Sequence, residues 1–179
     1  VSISAILKSG LSPHDSTSSD QHPVRLDEIF MIARDIMVLQ VHTVSPECTI
    51  GEALRRFAEL GCQAFPVLDE EKTLLGTLNF WQILEQAIPA YIMKGDMPDI
   101  RFAPDLAQFH EHLEELKLKP VIQVMNPHPP TVHPDDSVLA CAALIMKTPK
   151  TVYLLPVVEG DRRLVGIISA WDIIKEIAG

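Results

Sequence analysis

A stretch of this chain is written twice, and that limits its fold more than any composition can. Each copy must build the same unit, and the two units must then cover one another. Asp35-Ile36-Met37 returns as Gln123-Val124-Met125 and Val44-Ser45-Pro46 as Val132-His133-Pro134, both 88 residues later. Pro66-Val67 returns as Pro156-Val157, Gly76 as Gly166 and Trp81 as Trp171, at an offset of 90. Two residues are therefore inserted within the second copy.

Each copy predicts the same order of elements. A short β-branched segment, His42 to Ser45 or Thr131 to His133, leads through Pro and acidic residues to an apolar-periodic helix, Ile50 to Leu60 or Val138 to Met146. A strand follows, Ala64 to Leu68 or Val152 to Val158. After a charged turn comes a second strand, Leu74 to Leu78 or Leu164 to Ile168, and then a closing helix, Phe80 to Ile88 or Ala170 to Ala178. The pattern β-α-β-β-α, read twice, is of the α/β (α+β) class. A unit this small cannot bury both faces of a three-stranded sheet alone, so the copies are expected to pack sheet to sheet with pseudo-two-fold symmetry.

Outside the copies, Ser9 to Pro23 is rich in Ser, Asp, His and Pro and reads as a flexible linker. Leu26 to Ile36 reads as a helix. Between the copies, Pro104-Asp105 precedes Leu106, Phe109, Leu113 and Leu116 at helical spacing, an amphipathic helix within a long insert. The helix Val138 to Met146 is apolar on every side and should be covered on every side, which calls for a second molecule.

The formal net charge of -9, with no basic run, argues against a surface that tracks nucleic-acid phosphates. Cys48, Cys62 and Cys141 are odd in number and contain no C-x-x-C pair, so they read as buried thiols of a reducing cytoplasm. No apolar run approaches the roughly 18 residues of a membrane span, and the start lacks a signal-peptide pattern. Direct membrane insertion is not expected. A chain that begins at Val1 rather than Met is expected to be a processed protein or a piece of a larger one.

The segments Ala64-Phe65-Pro66-Val67-Leu68-Asp69 with Leu75-Gly76-Thr77-Leu78, and Leu155-Pro156-Val157-Val158-Glu159 with Val165-Gly166-Ile167-Ile168-Ser169-Ala170-Trp171-Asp172, resemble the second half of cystathionine beta-synthase (CBS) repeats. Asp35-Ile36-Met37 and Gln123-Val124-Met125 look like that family's lead-in helices. The resemblance implies a tandem pair, or Bateman module, divided into an N-terminal segment (1–23), a first repeat (24–88), a helical insert (89–119) and a second repeat (120–179). It further implies a non-catalytic regulatory unit that forms homodimers and controls a host or partner protein. Its ligand would be AMP, ADP, ATP, S-adenosylmethionine or a related adenosyl compound, with no cofactor required.

At Ser169-Ala170-Trp171-Asp172 a carboxylate at a strand-to-helix corner can accept hydrogen bonds from both ribose hydroxyls, and the Ser169 hydroxyl can reach the sugar or first phosphate beside a helix N-terminus. The same pair also fits a capping box, which needs no ligand. By likeness, the adenine edge would meet the backbone of Thr43-Val44 and stack on Leu155 and Pro156. Asn79 and Gln82 occupy the equivalent positions of the first repeat, with Thr131, Val132, Phe65 and Pro66 as their counterparts. Neutral amides make weaker hydrogen bonds than a carboxylate, so this cleft is expected to be the weaker one.

Relatives that hold phosphates often carry Arg or His before the Pro-Val strand. Tyr153-Leu154 and Gln63-Ala64 stand there instead, which favours ligands of low negative charge unless Lys150, Arg162, Arg163 or Arg34 reaches in. An enzyme is not expected: His110-x-His112 and the pair His110 and Glu114 belong to no recognisable catalytic arrangement. Asp69-Glu70-Glu71 and Asp135-Asp136 could attract a metal but read as exposed turn acids. Two alternatives remain open, a ligand-free dimerisation module and the cytosolic regulatory arm of a transporter, channel or metabolic enzyme.

Overall fold

A computed structural model of the chain describes residues 31–88, 106–148 and 153–178. The linker read at Ser9 to Pro23, the start of the helix read at Leu26 to Ile36 and the first part of the insert lie outside the described residues.

The first repeat begins its regular structure at α2 (Ile50–Leu60), after the single turn α1 (Ala33–Ile36). In α2, Ile50, Ala53 and Phe57 recur on one face and are buried. Thr49 starts the helix by accepting from the Glu52 N–H at 3.2 Å, while the Glu52 carboxylate accepts from the Thr49 N–H at 2.9 Å. Gly61 ends it at φ 62°, a conformation that costs a residue with a Cβ more than it costs glycine. Strands β1 (Ala64–Leu68) and β2 (Leu74–Asn79) pair antiparallel, and α3 (Phe80–Ala87) follows. Phe57 stacks on Phe65 with ring centroids 4.4 Å apart, which ties α2 to the sheet.

The second repeat retraces this path with α5 (Val138–Lys147), β3 (Leu155–Glu159), β4 (Arg163–Ile168) and α6 (Ala170–Ala178). The expected third strand of each sheet is reduced to one residue: Val44 pairs parallel with Val67, and Val132 parallel with Val157. Each is held by two backbone bonds, from Val44 N–H to Pro66 and from Leu68 N–H to Val44, and their counterparts at Val132.

The repeats exchange their lead-in segments. Ala33 and Ile36, which open the first repeat, are buried in the second core with Val138, Cys141, Leu155, Val157 and Ile168. Val121 and Val124, which open the second repeat, join Leu116 of the insert in the first core with Ile50, Phe57, Phe65 and Leu78. Each core therefore draws on residues from both of the spans 24–88 and 120–179, or on the insert. The exchange is symmetric bond by bond. Ala33 N–H donates to Asp136 at 2.7 Å and Val121 N–H to Cys48 at 2.8 Å, while Val38 N–H donates to Ile167 and Asn126 N–H to Thr77, both at 2.9 Å.

Gly76 and Gly166 allow it. A Cβ on Gly76 would stand 2.4 Å from the Asn126 carbonyl oxygen, and one on Gly166 would stand 2.8 Å from Met37 Sδ. The hairpin turns also meet: Leu74 N–H donates to Arg162 at 2.9 Å, Leu164 N–H to Lys72 at 3.2 Å, and the Arg162 side chain caps the Leu74 carbonyl at 3.1 Å.

Symmetry stops at the outer helices. The insert helix α4 (Leu106–Lys117) lies on α2 and α3, with Leu116 buried and Phe109 and Leu113 against the first core. On the second repeat, only Val138 and Cys141 of α5 are buried, and Leu139 is 79% exposed. One chain does not cover this helix on every side.

Candidate functional site

Both strand-to-helix corners build the same reciprocal cap. At the first, the Asn79 side-chain oxygen accepts from Gln82 N–H at 3.1 Å, and the Gln82 side-chain oxygen accepts from Asn79 N–H at 2.8 Å. Because a backbone donor faces each amide oxygen, the amide nitrogens are the groups turned away from the cap. At the second corner, Asp172 Oδ2 accepts from Ser169 N–H at 2.7 Å and from the Ser169 hydroxyl at 2.6 Å. Asp172 N–H donates back to Ser169 Oγ at 3.3 Å. Such a cap stabilises a helix by ~1 kcal/mol without any ligand.

The corners differ in what surrounds them. Asn79 and Gln82 line a cavity of about 200 Å³ between the repeats. Ala64 and Thr77 come with them from the first repeat, and Asn126, His128, Pro130, Thr148, Tyr153 and Leu154 from the second repeat and its lead-in. Thr77 and Asn79 are polar residues buried at its base, Asn79 being 6% exposed. Asn126 Oδ1 accepts from His128 N–H at 3.0 Å, which shapes the approach to the cavity. Tyr153 stands 5.4 Å from Phe80 between ring centroids, and Trp81 Nε1–H donates to its hydroxyl. Among the described residues, the lining carries no Asp, Glu, Lys or Arg.

Ser169 and Asp172 are half-buried and line neither this cavity nor the other two described. Thr43 and Val44 line a separate, wider recess of about 420 Å³ with Leu68, Asp69, Lys72 and Gly166. Both backbone groups of Val44 are spent on β1, so of that pair only Thr43 can offer them to a ligand; Thr131 stands in the same relation to Val132. Leu155, Pro156, Phe65 and Pro66 are fully buried and Val132 nearly so, and their side chains present no face on which a ring could stack. Packing claims them because each lies on or beside the strand that closes a core. Pro130 and Ala64, the sequence neighbours of Thr131 and Phe65, reach the cavity wall instead.

His128, Asn126 and Thr148 were not legible as site residues, since they lie in loops or at a helix end with no motif around them. Tyr153 had a signal, its place before the Pro-Val strand. Two of the cations considered for phosphate are engaged elsewhere, Arg34 with Asp135 at 3.0 Å and Arg162 with the Leu74 carbonyl, and Arg163 is exposed on β4. Lys150 lies outside the described residues. The acids are turn residues, Asp69 accepting from Thr73 N–H at 2.8 Å and Glu71 N–H at 3.0 Å. Among the described residues, no group of three or more His, Cys, Asp and Glu could hold a metal ion. His110 and Glu114 form an exposed pair 3.9 Å apart. Among the described residues, no helix is long and apolar enough to cross a membrane.

The family model of the CBS domain matches residues 33–88 and again 121–179, one match for each half of the symmetric pair. The chain belongs to the CBS domain family. This CBS pair is 26% identical over 142 residues to the chloroplastic CBS domain-containing protein CBSX2 of Arabidopsis thaliana, an alignment covering 75% of the chain. It spans 58% of that relative's length. Among solved structures, CBSX2 in complex with AMP superposes with a TM-score of 0.63 at 21% identity, over 83% of this chain and 96% of the other. The CBS pair of protein MJ0100 in complex with 5-methylthioadenosine and S-adenosyl-L-methionine superposes at 0.59, also 21% identical, over 84% and 98%. Likeness at that level establishes the fold of a CBS pair.

Proposed function

We propose that this CBS pair is a non-catalytic regulatory module that binds an adenosine-type ligand in the cleft between its repeats. The observation that carries the reading is the cavity at Asn79 and Gln82. It is enclosed by both repeats, so a ligand seated there contacts both and favours the arrangement that suits it. Backbone and amide groups at its base can meet the polar edge of a base or sugar, and Tyr153 offers a ring. Two structures of the same fold are described as complexes with AMP and with S-adenosyl-L-methionine and 5-methylthioadenosine, which supports an adenosyl ligand here.

Among the described residues that line the cavity there is no Lys or Arg, which favours a nucleoside or sulfonium compound over a polyphosphate, because a buried phosphate needs cationic partners. Ser169 and Asp172 mark the pseudo-equivalent cleft. There the cap occupies Asp172 Oδ2, and Oδ1 is the atom that would grip a ribose hydroxyl. The output goes to a host or partner protein in the cytoplasm, by a change in how the two repeats sit together. Two copies associate through exposed apolar side chains of the second repeat, among them Trp171 (68% exposed) and Ile174.

Calorimetry with AMP, ATP and S-adenosylmethionine tests this, using the parent chain, Gln82→Ala and Asp172→Ala. S-adenosylmethionine or AMP is expected to bind the parent and to bind Gln82→Ala at least tenfold more weakly, with ATP weakest of the three. Silence of all three ligands with the parent chain ends the sensor reading. It would favour the ligand-free assembly module, a reading supported by the fact that both corner pairs already satisfy each other as helix caps.

A further inference from the structure

Beside the cavity at Asn79 and Gln82, three aromatic rings from the two repeats touch one another. Phe80 and Trp81 open α3, so the helix start that caps itself with Asn79 and Gln82 also sets these two rings in place. Tyr153 comes from the second repeat, two residues before β3, and lines the cavity itself. Its ring lies 5.4 Å from Phe80 between centroids, at 35° between planes, and its hydroxyl accepts from Trp81 Nε1–H. Phe80 and Trp81 are 5.7 Å apart, so the three form one unit. A tyrosine ring turns about its side-chain torsions unless something holds it. Here Phe80 meets the ring and Trp81 fixes its far end.

Trp81 does not need this bond for its own sake. It is 43% exposed, and water can satisfy an indole N–H at such a position. The bond acts instead on Tyr153. Because the phenol oxygen accepts from Trp81, it keeps its own hydrogen to donate to an acceptor in the cavity.

The second corner has only half of this arrangement. Trp171 follows Ser169 by two residues as Trp81 follows Asn79, but the residue 90 positions before Tyr153 is Gln63, which carries no ring. Trp171 is left 68% exposed. The repeat supplies the tryptophan twice and the tyrosine once.

We propose that Trp81 is a positioning residue for the ligand of this cavity: it holds Tyr153 so that the ring makes a wall for a planar base and the hydroxyl donates to an acceptor of that base. Trp81 has this role on the reading of the cavity as an adenosine-type site, and it acts through Tyr153 without lining the cavity.

Calorimetry of the full chain with AMP and S-adenosylmethionine tests the proposal in a cycle of Trp81→Phe, Tyr153→Phe and the double variant. Each substitution keeps a ring and removes one side of the hydrogen bond. For whichever ligand the parent binds, Trp81→Phe should weaken binding about fivefold, the worth of one hydrogen bond, and Tyr153→Phe at least as much. Adding Trp81→Phe to Tyr153→Phe should then cost nothing more, because both act on one contact. Losses that multiply would show Trp81 acting apart from Tyr153 and overturn the proposal. Parent affinity in Trp81→Phe would overturn it too, and would leave the adenosine-type site standing. Silence of both ligands with the parent would remove the site and the role of Trp81 together. A measurement without ligand checks the contact itself. In a Trp171→Phe background Trp81 is the one tryptophan of the chain, and its emission should shift to the red when Tyr153→Phe returns the indole N–H to water. An unshifted emission would equally overturn the proposal.

Discussion

The first and second repeats share one backbone plan and differ in almost every feature that a ligand or a partner would notice. The first has its helices covered by α4 and its corner closed by neutral amides at the wall of a cavity. The second leaves an apolar groove open in the described structure and closes its corner with a serine and a carboxylate. Sharing a plan is what lets the repeats exchange lead-ins symmetrically. Divergence of side chains on that plan then makes two unequal clefts from one design.

The sharpest contrast lies at the two glycines where the lead-ins cross the strands. Gly76→Ala would drive a Cβ into a carbonyl oxygen of the backbone, which cannot yield without breaking the Thr77 to Asn126 pairing. Gly166→Ala meets the flexible end of Met37 instead. Urea titration should show a loss of ~3 kcal/mol for the first and ~1 kcal/mol for the second, within the range of overpacked cores. Equal losses would mean that the lead-ins are not gripped differently.

Helix starts provide a smaller contrast. Thr49 and Glu52 satisfy each other's backbone, whereas Ser137 caps Ala140 N–H at 3.1 Å with no acid returning the bond. Thr49→Ala should cost ~1.5 kcal/mol and Ser137→Ala ~0.7 kcal/mol by the same titration, both within the usual span for lost caps.

Acid sensitivity follows from the same difference. Hydrogen bonds from Thr49, its backbone N–H first and its hydroxyl next, hold the Glu52 carboxyl below its ordinary value. Folding therefore favours the ionised form, and the resulting stability is complete above the ordinary carboxylate range. It is lost as pH falls through the lowered value. Thermal melts between pH 7 and pH 3 should show a shallower acid decline for Glu52→Gln than for the parent, while Ala140→Gln on the second repeat changes it little.

Thiol chemistry offers the finest discrimination. Burial is the main cause raising the Cys48, Cys62 and Cys141 thiols above their ordinary value, so each forms less thiolate near neutral pH. Mass spectrometry after iodoacetamide at pH 8 should find Cys48 and Cys62 of the first repeat modified slowly. Cys141, with no exposed surface, should react only when the second core opens. Fast labelling of Cys141 would show that core to be the looser of the two.

Most helices and hairpin strands were legible to within a residue, but the strand read from Val152 begins at Leu155, and of the helix read over Leu26 to Ile36 the described residues hold only the turn Ala33–Ile36. Helices Ile50–Leu60 and Ala170–Ala178 have the bounds their periodicity and caps suggest, and α4 bears out the spacing of Leu106, Phe109, Leu113 and Leu116. The site was less so. Ser169 and Asp172 form the more polar motif, yet the cavity described at a strand-to-helix corner lies beside Asn79 and Gln82. A motif shows which groups stand at a corner, but the volume before it depends on His128, Thr148 and Tyr153, which arrive from distant parts of the chain.

What the amino-acid sequence alone determined was the repeat, the order of its elements and the caps that begin its helices, because each is a relation among residues a few positions apart. Which core each lead-in enters was decided by tertiary structure, and so was the cavity that forms before Asn79 and Gln82. Those outcomes turn on whether Met125 and Asn126 can lie over Gly76, and Met37 over Gly166, contacts between segments far apart in the chain that no local periodicity records.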